Sequence, residues 1–261
     1  MIFVADAGNI NIALGVIKDG KIVFRCRIST NKSKTSEEYA VMLSNILDIY
    51  KVDKGAICGS IIASVVPSLN VVLKNAVHTI CGKMPLVVGP GIKTGLNILL
   101  DNPGQMGSDL VITAVAALQR YKLPCITVDM GTATTIGVLS GDGNFIGGAI
   151  CPGLNVSRDS MVSTTSQLPG VSLEAPKRVI GKGTVECMQS GLIYGFASML
   201  DGMIERIEGE LGDKPTVVFT GETAESVLPH CKRDGLIMDS DLPLMGLWHI
   251  YKRNAKSNNM R

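Results

Sequence analysis

Residues 2–20 read IFVADAGNINIALGVIKDG, and residues 125–143 read CITVDMGTATTIGVLSGDG. Each stretch begins with an apolar run that leads into Asp-x-Gly. It continues through polar residues into a second apolar run and closes on Asp-Gly, thirteen residues after its first aspartate. Asp-Gly between apolar runs is a strong signal for a β-hairpin turn. The offset of 123 residues predicts an internal duplication with two similar α/β halves facing each other across a cleft. Chance similarity of two hairpins is the alternative.

Apolar periodicity along the rest of the chain alternates between strand and helix patterns, which is typical of an α/β protein. We assign residues 1–120 to an N-terminal lobe, residues 121–254 to a C-terminal lobe and residues 255–261 to a disordered polar tail. The pattern predicts strands at residues 2–5, 13–17, 21–28, 61–65, 86–88, 125–128 and 135–139, and helices at residues 36–50, 109–120 and 184–209.

The predicted helix at residues 184–209 carries few charges before Glu205. Gly191, Gly195 and Gly202 lie on or near one of its faces. Glycine allows another helix to approach closely. We interpret this segment as a helix that packs between domains or between the subunits of a dimer.

The composition describes a well-packed protein without a strong charge bias. Of 261 residues, 46 % are hydrophobic and 18 % charged, so we expect a sizeable core. A net charge of +2 argues against a nucleic-acid-binding protein. The longest apolar stretch, residues 57–66, is too short to cross a bilayer, and the first residues lack the basic lead of a signal peptide. We expect a soluble cytoplasmic protein that binds neither nucleic acid nor membrane.

The seven cysteines lie singly, at least 23 residues apart, and the three histidines are scattered. Zinc sites and redox motifs use cysteine pairs about two to four residues apart. We interpret the cysteines as small hydrophobic residues in a reducing compartment. The pattern disfavours a metallohydrolase and a Cys-His nucleophile site.

The familiar nucleotide-binding loops are absent from the sequence. Residues 89–94, GPGIKT, come nearest to the P-loop pattern but lack the glycine before Lys93. Neither GxGxxG at the start of a helix nor GxSxG occurs. Their absence disfavours assignment of the chain as a P-loop NTPase, a Rossmann dehydrogenase or an α/β-hydrolase.

The two Asp-x-Gly turns, at residues 6–8 and 129–131, are the remaining candidates for a phosphate site. Phosphates bind where backbone N–H groups point outward from a tight turn, and glycine lets the backbone approach. An adjacent aspartate can hold the metal ion that bridges phosphate oxygens. A lone Asp-x-Gly is usually an ordinary turn. The doubled motif, with Thr132, Thr134 and Thr135 beside the second copy, predicts a nucleotide cleft.

Asp109 follows Gly107-Ser108 at the start of the predicted apolar helix at residues 109–120. A carboxylate in a first helical turn complements the helix dipole and binds free N–H groups. The residues alone favour this capping role over a catalytic one.

Seven blocks spread over residues 2–254 carry a family resemblance. They are DAGNINIALGV from Asp6, GPGIKTGLNI from Gly89, DNPGQMGSD from Asp101, VDMGTATT from Val128, GGAICPGL from Gly147, VIGKGTVECMQSGLIYG from Val179 and LPLMGLWHIYKRN from Leu242. In these blocks, and in their order and spacing, the chain resembles the type III pantothenate kinases of the actin-like and sugar-kinase-like ATPase superfamily.

The resemblance implies a duplicated RNase H-like, actin-like ATPase fold with two lobes around an ATP cleft. It implies phosphorylation of pantothenate to 4'-phosphopantothenate, the first step of coenzyme A biosynthesis. ATP, Mg²⁺ and a monovalent cation (K⁺ or NH₄⁺) would be required. The resemblance also implies a homodimer with substrate pockets at the subunit interface.

The same resemblance assigns roles to individual residues. It implies Asp109 as the general base, Asp6 near the Mg²⁺-phosphate centre and Asp129 as the ligand of the monovalent cation. Phosphoryl transfer needs charge neutralisation, in-line placement and a positioned base, which these residues would supply. Nucleotide contacts are implied for Asp6, Gly8, Asn9, Asn11, Gly131, Thr132 and Gly221, and substrate contacts for Leu100, Gly107, Ser108, Leu110 and Thr184.

Five positions depart from the family pattern. One of them removes an arginine, and loss of its charge-assisted contact, worth about 1.5–3 kcal/mol, would weaken pantothenate binding roughly 10–150-fold. Because of these departures, two alternatives stay open: a kinase that phosphorylates another small molecule, and a non-catalytic protein that binds nucleotide or a partner. The departures are Ile10 for a threonine, Leu100 for an aromatic residue, Leu110 for the arginine that grips the pantothenate carboxylate, Gly183 for an asparagine and Glu222 for a small residue.

Overall fold

The computed structural model describes residues 1–258, which form two compact units. Unit 1 comprises Met1–Leu96, Asp101–Gln119 and residues 241–258. Unit 2 comprises Asn97–Leu100 and Arg120–Ser240. Sequence analysis assigns residues 241–254 to the C-terminal lobe, whereas in the structure they pack with unit 1.

Strands and helices alternate along most of the chain. In chain order they are β1 (Ile2–Ala7), β2 (Asn11–Lys18), β3 (Lys21–Ser29), α1 (Ser36–Ile49), β4 (Gly59–Ser64), α2 (Leu69–Cys81), β5 (Leu86–Val87), β6 (Asn97–Ile98), α3 (Ser108–Arg120), β7 (Cys125–Met130), β8 (Ala133–Leu139), β9 (Asn144–Pro152), α4 (Leu154–Thr164), α5 (Thr184–Leu211), β10 (Thr216–Thr220), α6 (Ala224–Val227), β11 (Leu236–Met238) and α7 (Leu242–Asn258).

Unit 1 is built on a five-stranded sheet in the order β3-β2-β1-β4-β5. β1, β2 and β3 form an antiparallel meander, and β4 and β5 extend it in parallel. Helices α1 and α2 cover one face, where Tyr39, Leu43 and Leu73 are buried against alternate side chains of β1 such as Phe3 and Ala5. Burying these apolar side chains from water is what holds the helices to the sheet.

Helix α7 packs on the other face of this sheet and contacts β1, β2 and β4. The packing is close: a Cβ added at Gly59 would overlap the Tyr251 hydroxyl, and one added at Gly246 would overlap the Ile112 carbonyl oxygen in α3. Helix α7 continues through residues 255–258, the first part of the stretch for which the sequence predicts a disordered polar tail. A helix already anchored by packing extends at little cost per residue. Residues 259–261 lie outside the described part of the chain.

Unit 2 is built on a six-stranded sheet in the order β11-β10-β7-β8-β9-β6. β7, β8 and β9 form an antiparallel meander, while β10 runs parallel to β7. Helices α4, α5 and α6 contribute to the core on one face, where Ile126, Val128 and Met130 of β7 are buried with Leu192 and Leu200 of α5.

The predicted duplication is confirmed. β7 has the bounds of β1, and β9 those of β3, after a shift of 123 residues. In each unit the first strand pairs antiparallel with the second and parallel with a later strand, β4 or β10. Ligands of α/β sheets bind at the carboxyl ends of parallel strands. Asp6 and Asp129 lie at this end of β1 and β7.

Candidate functional site

The N-terminal turn, residues 8–11, joins β1 to β2. The Gly8 N–H donates to the Asn11 carbonyl oxygen at 2.9 Å. Thr30, immediately after β3, closes the turn from a distant part of the sequence. Its hydroxyl donates to the Gly8 carbonyl oxygen at 2.7 Å, and its N–H donates to the Ile10 carbonyl oxygen at 2.7 Å. Three carbonyl oxygens of this turn are therefore engaged within the protein.

The same turn has unused donors. Within residues 1–258, the N–H groups of Asn9 and Ile10 have no protein acceptor. Free N–H groups beside engaged carbonyl oxygens make a turn suited to an anion such as phosphate. The Ile10 side chain is 46 % exposed and supplies no hydroxyl, so only its backbone is available. Asp6 is half-buried next to this turn, and its carboxylate oxygens are of the kind that Mg²⁺ prefers.

The C-terminal turn follows β7 at the equivalent place in unit 2. The Gly131 N–H donates to the Ala133 carbonyl oxygen at 3.1 Å. The Gly153 N–H, after β9, donates to the Thr132 carbonyl oxygen at 3.1 Å. The Thr132 N–H has no acceptor among the described residues. This turn therefore also offers a backbone donor to an anion.

Gly221 lies against the C-terminal turn. Its φ is +98°, and an added Cβ would overlap the Met130 backbone and lie 2.7 Å from Asp129 Oδ1. Only glycine fits this position. Thr223 fastens the same strand end, because its N–H and hydroxyl donate to the Met130 carbonyl oxygen at 3.3 and 3.0 Å. Glu222, between these two residues, is exposed.

Asp129 shares a sheet face with two threonines. The register pairs it with Thr135 on β8 and with Thr220 on β10. Both threonines are buried, and Thr220 Oγ1 has no partner in the described part of the chain. A buried hydroxyl without a partner is costly unless a ligand satisfies it. One carboxylate and two hydroxyls form an oxygen donor set that fits a hard cation.

Asp109 lies in the first turn of α3. A Cβ added at Gly107 would overlap Asp109 Oδ1, so the carboxylate folds back over the start of the helix. It is half-buried, and within residues 1–258 it has no hydrogen-bond or ion-pair partner. The buried Ser108 Oγ also has none. The expected capping hydrogen bond from a backbone N–H to the Asp109 side chain is therefore not formed, and the carboxylate is available to a ligand.

Thr184 is the first residue of α5 and is exposed. Gly183 is the N-cap and provides no side-chain hydrogen bond. Glu186 Oε2 accepts a hydrogen bond from the Lys182 N–H at 2.9 Å, a donor that lies outside the helix. A carboxylate in this first turn also complements the helix dipole. The start of α5 therefore has a complementary charge, while the side-chain hydrogen bond of an N-cap is not made.

The sequence-predicted site residues fall into separate groups. Leu100, after β6, and Thr184, at the start of α5, lie on different elements of unit 2. Sequence reasoning missed Thr30, Thr220 and Thr223, which fasten or flank the two turns. The hairpin register of β2 with β3 is the signal that would have placed Thr30 beside the first turn. The groups are Asp6, Gly8, Asn9 and Asn11 in the first turn, Asp129, Gly131, Thr132 and Gly221 around the second, and Gly107, Ser108, Asp109 and Leu110 at the start of α3.

Other types of site find little support in the described residues. Burial raises the pKa of Cys81 to about 11 and of Cys125 to about 12, so these thiols stay protonated at neutral pH. No group of three or more His, Cys, Asp or Glu in residues 1–258 is arranged to hold a metal ion. In the same range, no helix has the length and apolar character that spanning a membrane requires.

Comparison with known proteins finds relatives that cover nearly the whole chain. A family model described as type III pantothenate kinase matches residues 2–206. The type III pantothenate kinase of Bacillus cytotoxicus is 38 % identical over 255 residues, which cover 98 % of this chain and 97 % of the relative. That of Moorella thermoacetica is 39 % identical and covers 98 % of this chain and all of the relative.

Solved structures of low sequence identity share the fold. A Baf family transcriptional activator from Campylobacter jejuni is 16 % identical with a TM-score of 0.62, covering 97 % of this chain and 99 % of that chain. The activator of 2-hydroxyisocaproyl-CoA dehydratase from Clostridium difficile is 12 % identical with a TM-score of 0.57, covering 100 % and 97 %. A ROK hexokinase from Thermus thermophilus is 13 % identical with a TM-score of 0.51, covering 98 % and 99 %. The fold is that of the actin-like ATPases and sugar kinases.

Proposed function

Because this chain belongs to the type III pantothenate kinase family, we propose that it transfers the γ-phosphoryl group of ATP to the hydroxyl of pantothenate, the first step of coenzyme A biosynthesis. The observation that carries the proposal is an identity of 38–39 % over 98 % of the chain. The reaction forms a phosphorus–oxygen bond to pantothenate, breaks the bond between the γ-phosphorus and the bridging oxygen, and releases ADP and a proton.

Asp109 is the general base of this mechanism. Its carboxylate accepts the proton of the pantothenate hydroxyl as the hydroxyl oxygen attacks the γ-phosphorus. A general base must have an oxygen free to reach that proton. The lack of any partner for the Asp109 carboxylate within residues 1–258 supports this role.

We assign nucleotide contacts to the backbone of each turn. Their unused N–H groups, together with their engaged carbonyl oxygens, support this assignment. Asp6 holds Mg²⁺, which when bound neutralises phosphate charge. The proposed nucleotide contacts are Gly8, Asn9, Asn11, Gly131, Thr132 and Gly221.

Asp129 holds a monovalent cation, K⁺ or NH₄⁺. The unpartnered buried Oγ1 of Thr220 beside it, with Thr135 on its other side, supports an oxygen-lined cation site. An activity that depends on such a site distinguishes K⁺ from the smaller Na⁺. We expect turnover in K⁺ to exceed turnover in Na⁺ at equal ionic strength, measured as ADP release. Equal rates in the two salts would contradict the cation assignment.

We assign acceptor contacts to residues at the start of α3 and to two residues of unit 2. Gly107, Ser108 and Leu110 provide contacts beside Asp109, and we also assign contacts to Leu100 and Thr184. Leu110 supplies no charge for a carboxylate. This observation favours, as a second candidate function, a kinase for a neutral acceptor.

The experiment that tests the proposal measures ADP release by the purified protein with Mg²⁺, K⁺ and ATP, with and without pantothenate. We expect release that depends on pantothenate, because the family match extends over nearly the whole chain. The amide analogue of pantothenate, which has no carboxylate, is the matched acceptor. Release only with the amide would favour the second candidate. No release with either acceptor, from protein that melts cooperatively, would contradict the kinase assignment.

We also propose a homodimer that uses α5. Cβ atoms added at Gly191, Gly195 and Gly202 would meet no atom within 4 Å, so this helix face is open. Val179 and Ile180, shortly before α5, are 64 % and 83 % exposed, which is unusual for large apolar side chains. A second copy of the chain would cover both features.

The arginine variant of Gly195 tests this dimer. It places a long charged side chain in space that is open in one protomer, so the protein is expected to fold but to sediment near 27.6 kDa instead of twice that mass. Gly141→Arg, at another open position, is the control and should remain dimeric. A monomeric wild type at micromolar concentration, or an unaffected Gly195→Arg dimer, would contradict the proposal.

A further inference from the structure

Thr30 fixes the direction of the N-terminal turn. It binds the carbonyl oxygens of Gly8 and Ile10 at once, through its hydroxyl and its N–H, both at 2.7 Å. A peptide carbonyl and the N–H of the same peptide point in opposite directions. The peptide that carries the Gly8 carbonyl oxygen also carries the Asn9 N–H. By holding the Gly8 carbonyl oxygen on its own side, Thr30 turns the unused Asn9 N–H away from itself.

The second turn is also held by a hydrogen bond from the residue equivalent to Thr30. A shift of 123 residues takes Thr30 to Gly153. The Gly153 N–H donates to the Thr132 carbonyl oxygen at 3.1 Å, as that of Thr30 does to Ile10. A Cβ at Gly153 would overlap the carbonyl oxygens of Gly131 and Thr132. The backbone of Gly153 thus lies against the carbonyl oxygens of the second turn. In the first turn, the Thr30 hydroxyl makes the equivalent contact.

Thr30 is itself held in place by the core of unit 1. The next residue, Asn31, is bound by Tyr39 of α1: the phenol donates to the Asn31 carbonyl oxygen at 2.9 Å and accepts from the Asn31 N–H at 3.0 Å. Tyr39 is fully buried. The segment that carries Thr30 is therefore anchored to a rigid helix. A group positioned in this way can hold a turn without extra loss of entropy on binding.

We infer that Thr30 is a positioning residue for the nucleotide, acting through the Gly8 carbonyl oxygen to aim the backbone donors of the N-terminal turn at phosphate. The inference rests on one part of the proposed function, namely that the N-terminal turn binds a nucleoside triphosphate. It does not depend on which acceptor receives the phosphoryl group. The Thr30 hydroxyl and N–H both donate to carbonyl oxygens of the turn, so Thr30 acts through the turn.

Thr30→Val tests the inference, because valine keeps the shape and the N–H bond to Ile10 but lacks the hydroxyl. We expect the Kd for Mg-ADPNP, a non-hydrolysable ATP analogue, to rise about tenfold by calorimetry. Thr30→Ser restores the hydroxyl and should bind within about twofold of the wild type. Thr79→Val is the matched control, because it removes a 3.1 Å hydroxyl bond to the Asn75 carbonyl oxygen on the exposed side of α2.

A steady-state measurement separates positioning from general destabilisation. In Thr30→Val, KM for ATP should rise while KM for the acceptor stays unchanged. A merely structural loss would lower the amount of folded enzyme and leave both KM values unchanged.

The inference is overturned if Thr30→Val binds Mg-ADPNP as the wild type does, if Thr30→Ser is as weak as Thr30→Val, or if Thr79→Val weakens binding equally. It is also overturned if the wild type does not bind Mg-ADPNP, and the nucleotide part of the proposed function then fails with it. If the wild type binds Mg-ADPNP and shows the expected series but does not turn over pantothenate, only the acceptor assignment fails.

Discussion

Replacement of Asp109 by asparagine is expected to lower kcat for pantothenate-dependent ADP release by about 10²–10⁴-fold, the usual contribution of general-base catalysis. Asparagine has nearly the same shape but cannot accept the hydroxyl proton. The carboxylate of Asp109 is half-buried and has no partner in residues 1–258, so its loss breaks no structural bond. Affinity for Mg-ADPNP should remain within about twofold of the wild type.

The melting temperature distinguishes the catalytic role of Asp109 from the capping role. A first-turn carboxylate contributes about 0.3–1 kcal/mol to stability through the helix dipole. For a chain of this size that corresponds to a shift of at most about 4 °C. Asp234→Asn, at an exposed loop position, is the control. If Asp109→Asn melts a few degrees lower but retains full kcat, Asp109 only caps α3.

Replacement of Leu110 by arginine is expected to lower KM for pantothenate by about 10–150-fold. A charge-assisted hydrogen bond to a carboxylate is worth about 1.5–3 kcal/mol, which sets this range. Leu110 is half-buried beside Asp109 at the start of α3, so a longer side chain has access to solvent. The measurement is the pantothenate dependence of ADP release by the purified variant.

Two controls isolate the charge of the new side chain. Leu110→Gln adds length and polarity without a positive charge and should leave KM for pantothenate within about threefold of the wild type. The amide analogue of pantothenate should gain nothing from Leu110→Arg, because its carboxylate is gone. An equal gain for the acid and the amide, or no gain for either, would show that position 110 does not face the acceptor carboxylate.

The elements that the sequence predicts best are those with strong local signals. The helix predicted at residues 36–50 is α1, which begins after a capping box in which Thr35 accepts from the Glu38 N–H and Glu38 accepts from the Thr35 N–H. The hairpin turns at Asp-Gly are present at the predicted places in both units. Local turn and cap chemistry is visible in a single sequence because the partners lie within a few residues.

Elements that depend on distant contacts were missed. Sequence analysis predicts no helix at α7. Its side chains Trp248 and Tyr251 pack against Gly20, in the turn between β2 and β3, and against Gly59 of β4. Strand β10 was missed for a related reason, since it is defined by its pairing with β7. Such contacts join residues far apart in the chain, and no local pattern encodes them.

Some residues of the candidate site can likewise be predicted from local sequence, whereas others depend on distant contacts. Aspartates in repeated Asp-x-Gly turns are visible in the sequence, and so is the carboxylate after Gly107-Ser108. The bond from Thr30 to Gly8 joins residues 22 apart, and the orphaned hydroxyl of Thr220 is recognised only from its register opposite Asp129. Register is a property of the folded sheet, so these residues could not be assigned before the strands were paired.

The return of α7 to unit 1 has a consequence for how this protein is made. The ribosome delivers the first sheet early, but the helix that covers one of its faces follows only after the 121 residues of Arg120–Ser240. At translation rates of about 5–20 residues per second, that interval lasts about 6–24 s. Until then the strands of the first sheet lack the helix on which Gly59 packs. The nascent chain therefore carries a sheet with one uncovered face while the second half is still being synthesised, a stage at which a chaperone can bind this face.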